Sequence, residues 1–569
     1  MLELIEKLIR EKLGDLDFQL LSGEARAHFS TNAAFTLALS LSKGGEKIPP
    51  LQTAEELKTF LEEKAPPGFF AKIEVVQPGF INFWLTPETI QAEFLKMVKA
   101  GESWGKGELK KTVAIDYSAP NIAKPMSVAH LRSTIIGQSL YHIFQFAGAK
   151  VIGDNHLGDW GKQFGILIVA YKETLKQNPE FKEPTIEDLM QLYVSYSGRA
   201  KENPVLNEAA RAETVKLQQG DKNNLKLWQK FYKLSLKEFE SVYKVLGVKF
   251  DYYLGESFYN PMLADLVESA LKKGVARKSE GAVVIPLDEA GLPPYVIQKS
   301  DGAHLYSTTD LATLKYRIEK FKADLILYVV GNDQALHFNQ LFGAARKMGL
   351  VEDEELVHVK FGLILSSDLK KLSTRAGRHI SLLQVIDEAI KKAREVVGVK
   401  QPDLSEAEKE KIAKIVGLGA LKYNDLSQNR MSDITFDWDR MLSLEGNSAP
   451  YLQYTYARFR SILRKAPKSL IPKRGLDPVA LNKEVDLGLV LKLAYFPEII
   501  KSVTVNYYPH YLANYLYELT RLMNSFYEKE PVLKSEPALR EARLALVKKT
   551  AETLKVGLDL LGIKTIEKI

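Results

Sequence analysis

Asp116-Tyr-Ser-Ala-Pro-Asn-Ile-Ala-Lys-Pro-Met-Ser-Val-Ala-His-Leu-Arg-Ser-Thr134 is the stretch on which the reading of this 569-residue chain turns. It follows Thr112-Val-Ala-Ile115, a short apolar run of strand type. Beyond it Val128, Leu131, Ile135, Leu140 and Ile143 fall close to one face of a helix. The loop therefore joins a strand to a helix N-terminus, where unpaired backbone N–H groups and the positive dipole end favour phosphate. Lys124 and His130 add side-chain donors beside it, which points to ATP. A Pro-rich loop with Ser127 as N-cap would need no ligand, so this segment alone leaves a purely structural role open.

With 46% hydrophobic and 26% charged residues the chain has globular composition and length for roughly three to four domains. It contains no run of about eighteen apolar residues, and its first twelve residues form an amphipathic helix pattern rather than a secretory signal. A soluble cytoplasmic protein without a membrane partner is expected. Zero cysteines exclude disulfides, thiolate nucleophiles and sulfur-ligated zinc, and no metal site is expected from the protein's own ligands. The net charge is +7, and from Met441 to Ile569 there are 20 Lys plus Arg against 13 Asp plus Glu. All of the excess positive charge is therefore C-terminal, as an RNA-binding domain would require, although a solvated basic helix surface has the same composition.

Three parts follow from the patterning. Residues 1–108 mix an amphipathic helix with alternating runs such as Ala71–Val76 and Phe80–Trp84, suggesting a small α+β domain. In residues 109–440 strand-like runs such as Asp324–Val330 alternate with long helical patterns, which implies a parallel sheet with ligands at the carboxyl ends of its strands. A polar stretch from Lys172 to Asn223 reads as a helical insertion. Neither a Walker loop nor a G-x-G-x-x-G fingerprint accompanies the strands. Residues 441–569 are wholly helical in pattern, with the aromatic and basic stretches Tyr451–Arg460 and Tyr511–Thr520.

Several segments in this chain order resemble arginyl-tRNA synthetases. They are His28-Phe-Ser-Thr-Asn-Ala-Ala-Phe35, Pro78-Gly-Phe-Ile-Asn-Phe83, the 116–134 loop, Asn155-His-Leu-Gly-Asp-Trp-Gly-Lys-Gln-Phe-Gly165, Val330-Gly-Asn-Asp-Gln-Ala-Leu-His337 and the helical stretches near the C-terminus. The resemblance implies a multidomain α/β protein. Its N-terminal domain would touch the outer corner of tRNA, its class I catalytic domain would be Rossmann-like, and its C-terminal bundle would bind the anticodon. The implied activity is arginine–tRNA ligation from L-arginine, ATP and tRNA(Arg), often with tRNA required in the first step. Mg²⁺ would be bound mainly through phosphates. A monomer is expected.

The same resemblance implies the site. Ser127, Val128, Ala129 and His130 occupy the His-Ile-Gly-His-type motif, with the first histidine and the glycine replaced. Lys371-Leu-Ser-Thr-Arg375 resembles the Lys-Met-Ser-Lys-Ser motif, giving Lys371, Ser373 and Arg375 as candidates. Thr374 stands where the family usually has a second lysine, so another cation must serve; Lys124 is first choice, with Arg375 or Arg378 behind it. Asp116, Ser118, Asn121, Tyr306, Asp310 and Gln334 match arginine-binding positions, and a carboxylate is the natural partner of a guanidinium. Tyr306 and Asp310, four apart at a helix start, would project from one face. His156 and Asp159 are candidates for support of the nucleotide site, and Tyr451, Gln453, Tyr454 and Arg458 for tRNA contact. The replaced motif positions leave two alternatives open: a silent RNA-binding paralogue and a class I synthetase for another amino acid.

Overall fold

The structure is a computed structural model that describes residues 1–22, 27–42, 47–365, 381–467 and 477–568. At its centre four parallel strands lie in the order Glu355–His358, Leu325–Tyr328, Thr112–Asp116 and Lys150–Asp154. Val113, Ala114, Ile115, Ile326 and Leu327 are fully buried, as expected where helices cover both faces of a parallel sheet. The register aligns His358, Tyr328, Asp116 and Asp154 in one row across the carboxyl edge. The sheet thus brings four polar side chains, one from each strand, to one line.

The 116–134 loop leaves that edge and enters the helix Ala129–Phe146, whose cap position is Val128, without a side-chain cap, rather than Ser127. Gly137 lets this helix lie directly on Tyr117, since a Cβ there would come within 2.3 Å of the Tyr117 Cβ. Arg132, on the same helix and fully buried, forms hydrogen bonds from Nε and Nη2 to Asp425 at 3.0–3.2 Å. That pair fastens the helix Ala129–Phe146 to the helix Glu406–Leu426.

Between the second and third strands in sequence the chain forms the helices Lys162–Gln177, Ile186–Glu202, Pro204–Gln218 and Lys222–Leu246. The helical insertion expected from Lys172 to Asn223 is thus present and extends further at both ends. A three-stranded antiparallel sheet of Arg277–Ser279, Ala282–Ile285 and Tyr295–Gln298 follows. Its three- and four-residue strands are too short for a periodic signal, and the alternation expected over 109–440 does not distinguish them from parallel strands.

The N-terminal part is an antiparallel sheet in the order Leu20–Ser22, Phe29–Thr31, Phe80–Leu85 and Phe70–Val76, packed with helices. The C-terminal part is a bundle of the helices Ala449–Lys465, Glu484–Ala494, Phe496–Asn506, His510–Lys529 and Pro537–Leu560. The two parts meet directly: Gln91 Nε2 donates to the Leu481 carbonyl and Trp104 Nε1 to that of Leu493, each at 2.9 Å. Among the described residues no helix is long and apolar enough to cross a membrane.

Gly137→Ala is expected to destabilise the protein by about 1–3 kcal/mol, because Tyr117 must move to admit the methyl group and outweighs the gain in helix propensity. A lowered urea midpoint measures it; an unchanged or raised midpoint would show that the contact is loose.

Candidate active site

The row of strand ends is organised by one fully buried cation. Arg317, on the helix Tyr306–Phe321, places Nη2 2.9 Å from Asp116 and 2.8 Å from Asp154. Its Nε also donates to Asp154, and its guanidinium lies 5.3 Å from the centre of the Tyr328 ring. Burial opposes the Arg317 charge, but Asp116 and Asp154 outweigh it and hold the guanidinium protonated. Burial pushes the Asp154 carboxyl up, against the pull of Arg317 and with a further push from the Asp116 charge. Asp116, expected from the sequence to bind arginine, is buried with Oδ2 on Arg317, while its Oδ1 is buried without a hydrogen-bond partner among the described residues. The cluster fixes the helix that carries Tyr306 and Asp310.

The loop beyond Asp116 is held from behind. Ser118, Ala119 and Ala123 adopt positive φ values of 74°, 44° and 62°, which cost free energy in residues with a Cβ and persist only under constraint. The constraints are visible. The Ser118 N–H donates to Ser133 Oγ, the Ala119 N–H to Asn155 Oδ1, and the Ala123 N–H to Ser235 Oγ at 2.7 Å. Ser118 is also corrected as an open binding residue, since its buried hydroxyl is within hydrogen-bond distance of Tyr243 Oη and Thr134 Oγ1. Asn121 remains exposed; its backbone bridges to Gly158, where an added Cβ would meet Asn121 Oδ1 at 2.0 Å. Lys124 lies with Nζ 4.5 Å from the centre of the Tyr193 ring, on an insertion helix.

His130 is partly exposed one turn into the motif. The Ser127 N–H donates to its Nδ1 at 3.1 Å, which favours the tautomer with the proton on Nε2. Burial lowers its pKa, so the ring enters the physiological range neutral and able to donate from Nε2. Ser127 also bridges to Ser381, and the Leu382 N–H donates to the Met126 carbonyl. These contacts bring the chain emerging from the second motif onto the first. Lys371, Ser373 and Arg375 themselves lie outside the described residues.

The opposite wall carries Tyr306, which is 63% exposed, and Asp310 one turn along the same helix. Asp310 Oδ2 is 2.6 Å from His337 Nε2, and its Oδ1 is 4.0 Å from His156 Nε2. His156 is oriented by Nδ1, 3.0 Å from the Leu254 carbonyl, and Gln334 is exposed at the head of the helix Ala335–Lys347. Asp159 does not face the site. Its carboxylate is buried and accepts from the N–H and hydroxyl of Ser257, tying the Gly158 turn to the short helix Glu256–Tyr259. Glu256, which the sequence reading did not single out, lies in a cleft of roughly 530 Å³ shared with Trp160, Lys299, His304, Tyr306 and Thr309. Burial raises its pKa to about 7; His156 lowers it, while Asp310 and Asp159 add to the rise.

In the C-terminal bundle Tyr451, Tyr454 and Arg458 share a partly exposed face, with the Arg458 guanidinium 5.4 Å from the centre of the Tyr454 ring. Gln453 is corrected: it is fully buried and donates from Nε2 to the Lys564 carbonyl, so it braces the C-terminal segment.

Residues 3–85 match the family described as Arginyl tRNA synthetase N terminal domain, residues 94–438 tRNA synthetases class I (R), catalytic domain, and residues 452–569 DALR anticodon binding domain. The chain is 44% identical to the arginine–tRNA ligase of Chloroflexus aurantiacus, covering 92% of this chain and 91% of that one. It is also 44% identical to the arginine–tRNA ligase of Fusobacterium nucleatum, covering 91% and 90%. Its structure resembles that of the Plasmodium falciparum arginyl-tRNA synthetase with a TM-score of 0.83 and 28% identity, over 100% of this chain and 98% of that one.

Arg317→Met is expected to cost about 3–5 kcal/mol of stability, because it strands two buried carboxylates. Pairing it with Asp154→Asn should recover part of the loss. Urea unfolding of the single and double variants measures both, and strict additivity would show that the charges are not coupled.

Proposed function

The chain belongs to the arginyl-tRNA synthetase family and is an arginine–tRNA ligase, and we propose that its substrate guanidinium is received by Asp310 and Glu256 beside Tyr306 and Gln334. The observation that carries this reading is the geometry of Asp310. It follows Thr309, which lines the cleft with Tyr306 and Glu256, and its Oδ2 is held by His337 while Oδ1 lies 4.0 Å from His156; Asp116 and Asp154 are bound to Arg317 and Asp159 to Ser257.

The reaction joins the arginine carboxylate to the α-phosphate of ATP with loss of pyrophosphate, then passes the aminoacyl group to a ribose hydroxyl of tRNA. Neither step needs a protein nucleophile, so catalysis rests on positioning and on stabilising developing phosphate charge. His130 Nε2 and Lys124 Nζ are the donors proposed for ATP, with Asn121 lining the loop and Ser127 contributing through His130. Lys124 compensates for Thr374 on the pyrophosphate side, and Lys371, Ser373 and Arg375 complete the nucleotide contacts. His156 supports the site by facing Asp310. When bound, Mg²⁺ would neutralise phosphate charge, held mainly by ATP oxygens and water. Tyr451, Tyr454 and Arg458 provide stacking and charge for tRNA. The substrate and RNA elements lie on one chain, which supports a monomer; the reading also places the enzyme in the cytoplasm and makes tRNA a requirement of the adenylation step.

Charging of a transcribed arginine tRNA with labelled arginine tests the assignment of donors. Lys124→Ala and His130→Ala should each lower the rate by about 10²–10³. Arginine-dependent ATP–pyrophosphate exchange should appear only when tRNA is added, and rapid exchange without tRNA would overturn the proposed dependence.

Glu256 predicts a pH effect. Its folded-state pKa of about 7 lies above the ordinary 4.5, so the native protein holds the extra proton and the group's contribution to stability declines between those pH values. Its negative charge grows over the same range. The kcat/KM for arginine should therefore rise through about pH 7, and Glu256→Gln should lower kcat/KM and flatten that limb. An unaltered limb in Glu256→Gln would remove this residue from the site.

A further inference from the structure

His337 is the residue at which the two walls of amino-acid recognition meet, and neither the adenylation chemistry nor the proposed ATP contacts require it. It lies on the helix Ala335–Lys347, one turn after Gln334. Its Nε2 is 2.6 Å from Asp310 Oδ2 and its ring centre 5.2 Å from that of Tyr306, so it touches two residues of the neighbouring helix Tyr306–Phe321 at once. The Tyr295 and Phe338 rings flank it, with centres at 5.8 and 5.4 Å. An aspartate on a partly exposed helix face rotates broadly about its terminal torsion. Here one oxygen is fixed, and the other is left facing His156 at 4.0 Å.

We propose that His337 is a positioning residue for arginine: its Nε2–H fixes Oδ2 of Asp310, so that Oδ1 is the oxygen presented to the guanidinium. The proton sits on Nε2 because its partner is a carboxylate, which only accepts. Fixing the carboxylate before the ligand arrives removes an ordering cost from binding. The contact with the Tyr306 ring extends the same restraint to the exposed aromatic side of the cleft. The inference rests on the assignment of Asp310 as a guanidinium acceptor.

Steady-state pyrophosphate exchange in the presence of tRNA tests it, with arginine and ATP varied separately in folded variants of the full chain. His337→Leu and His337→Asn, whose amide stops short of Asp310, should each raise the arginine KM about tenfold, the scale of one charge-assisted hydrogen bond. The ATP KM and the kcat at saturating arginine should stay within about twofold of wild type, well under the scale of one lost hydrogen bond. His337→Gln, whose Nε2 can reach the same oxygen, should restore the arginine KM. A parallel Asp310→Asn variant separates the two readings: an unchanged arginine KM there overturns the role of Asp310 itself. A raised KM in Asp310→Asn with no change in His337→Asn overturns the role of His337 alone. Equal losses in the Gln and Asn variants, or a matching rise in the ATP KM, would also overturn it.

Discussion

The buried contact of Arg317 with Asp116 and Asp154 is the constraint from which the rest of the site follows. Two carboxylates at adjacent strand ends would repel one another in a poorly solvated place, and a single guanidinium with no exposure holds both. Because that guanidinium comes from the helix Tyr306–Phe321, the same contact sets where Tyr306 and Asp310 lie relative to the sheet. The internal arginine holds Oδ2 of both strand-end carboxylates, and their Oδ1 atoms are buried. In the reading proposed above a cationic substrate meets the second tier, Asp310 and Glu256.

The nucleotide loop obeys a comparable logic from the other side. Three residues with a Cβ are held at positive φ, and their N–H groups are satisfied by Ser133, Asn155 and Ser235 rather than by a regular element. Ser235, Tyr243 and Tyr193 all belong to the helical insertion, so the insertion grips the loop that carries Asn121 and Lys124. Strain in the loop and packing of the insertion are therefore one energetic unit. Replacing Ser235 removes the acceptor of the Ala123 N–H without touching any group proposed to contact ATP.

Much of this was legible in the sequence. The apolar run before Asp116, the helical periodicity after it and the four-residue spacing of Tyr306 and Asp310 are local patterns, and each appears where it was expected. Pairing between distant residues was not legible. Asp116 carries no mark that Arg317 will neutralise it, nor Asp159 that Ser257 will occupy its oxygens, nor Gln453 that the C-terminal segment will bury it. Glu256 follows a glycine in an aromatic stretch with no periodic signal, and its raised pKa exists only once the cleft has closed around it. His337 stood within a quoted segment, but its significance depends on a helix it meets only in three dimensions.

The division of labour among the aspartates is the central claim, and equilibrium binding of L-arginine by calorimetry tests it most directly. Asp310→Asn should weaken binding at least tenfold, the scale of one charge-assisted hydrogen bond, whereas a folded Asp116→Asn protein should bind arginine within about threefold of wild type. Equal loss of affinity in both variants, with Asp116→Asn still folded, would contradict the claim and return Asp116 to the substrate.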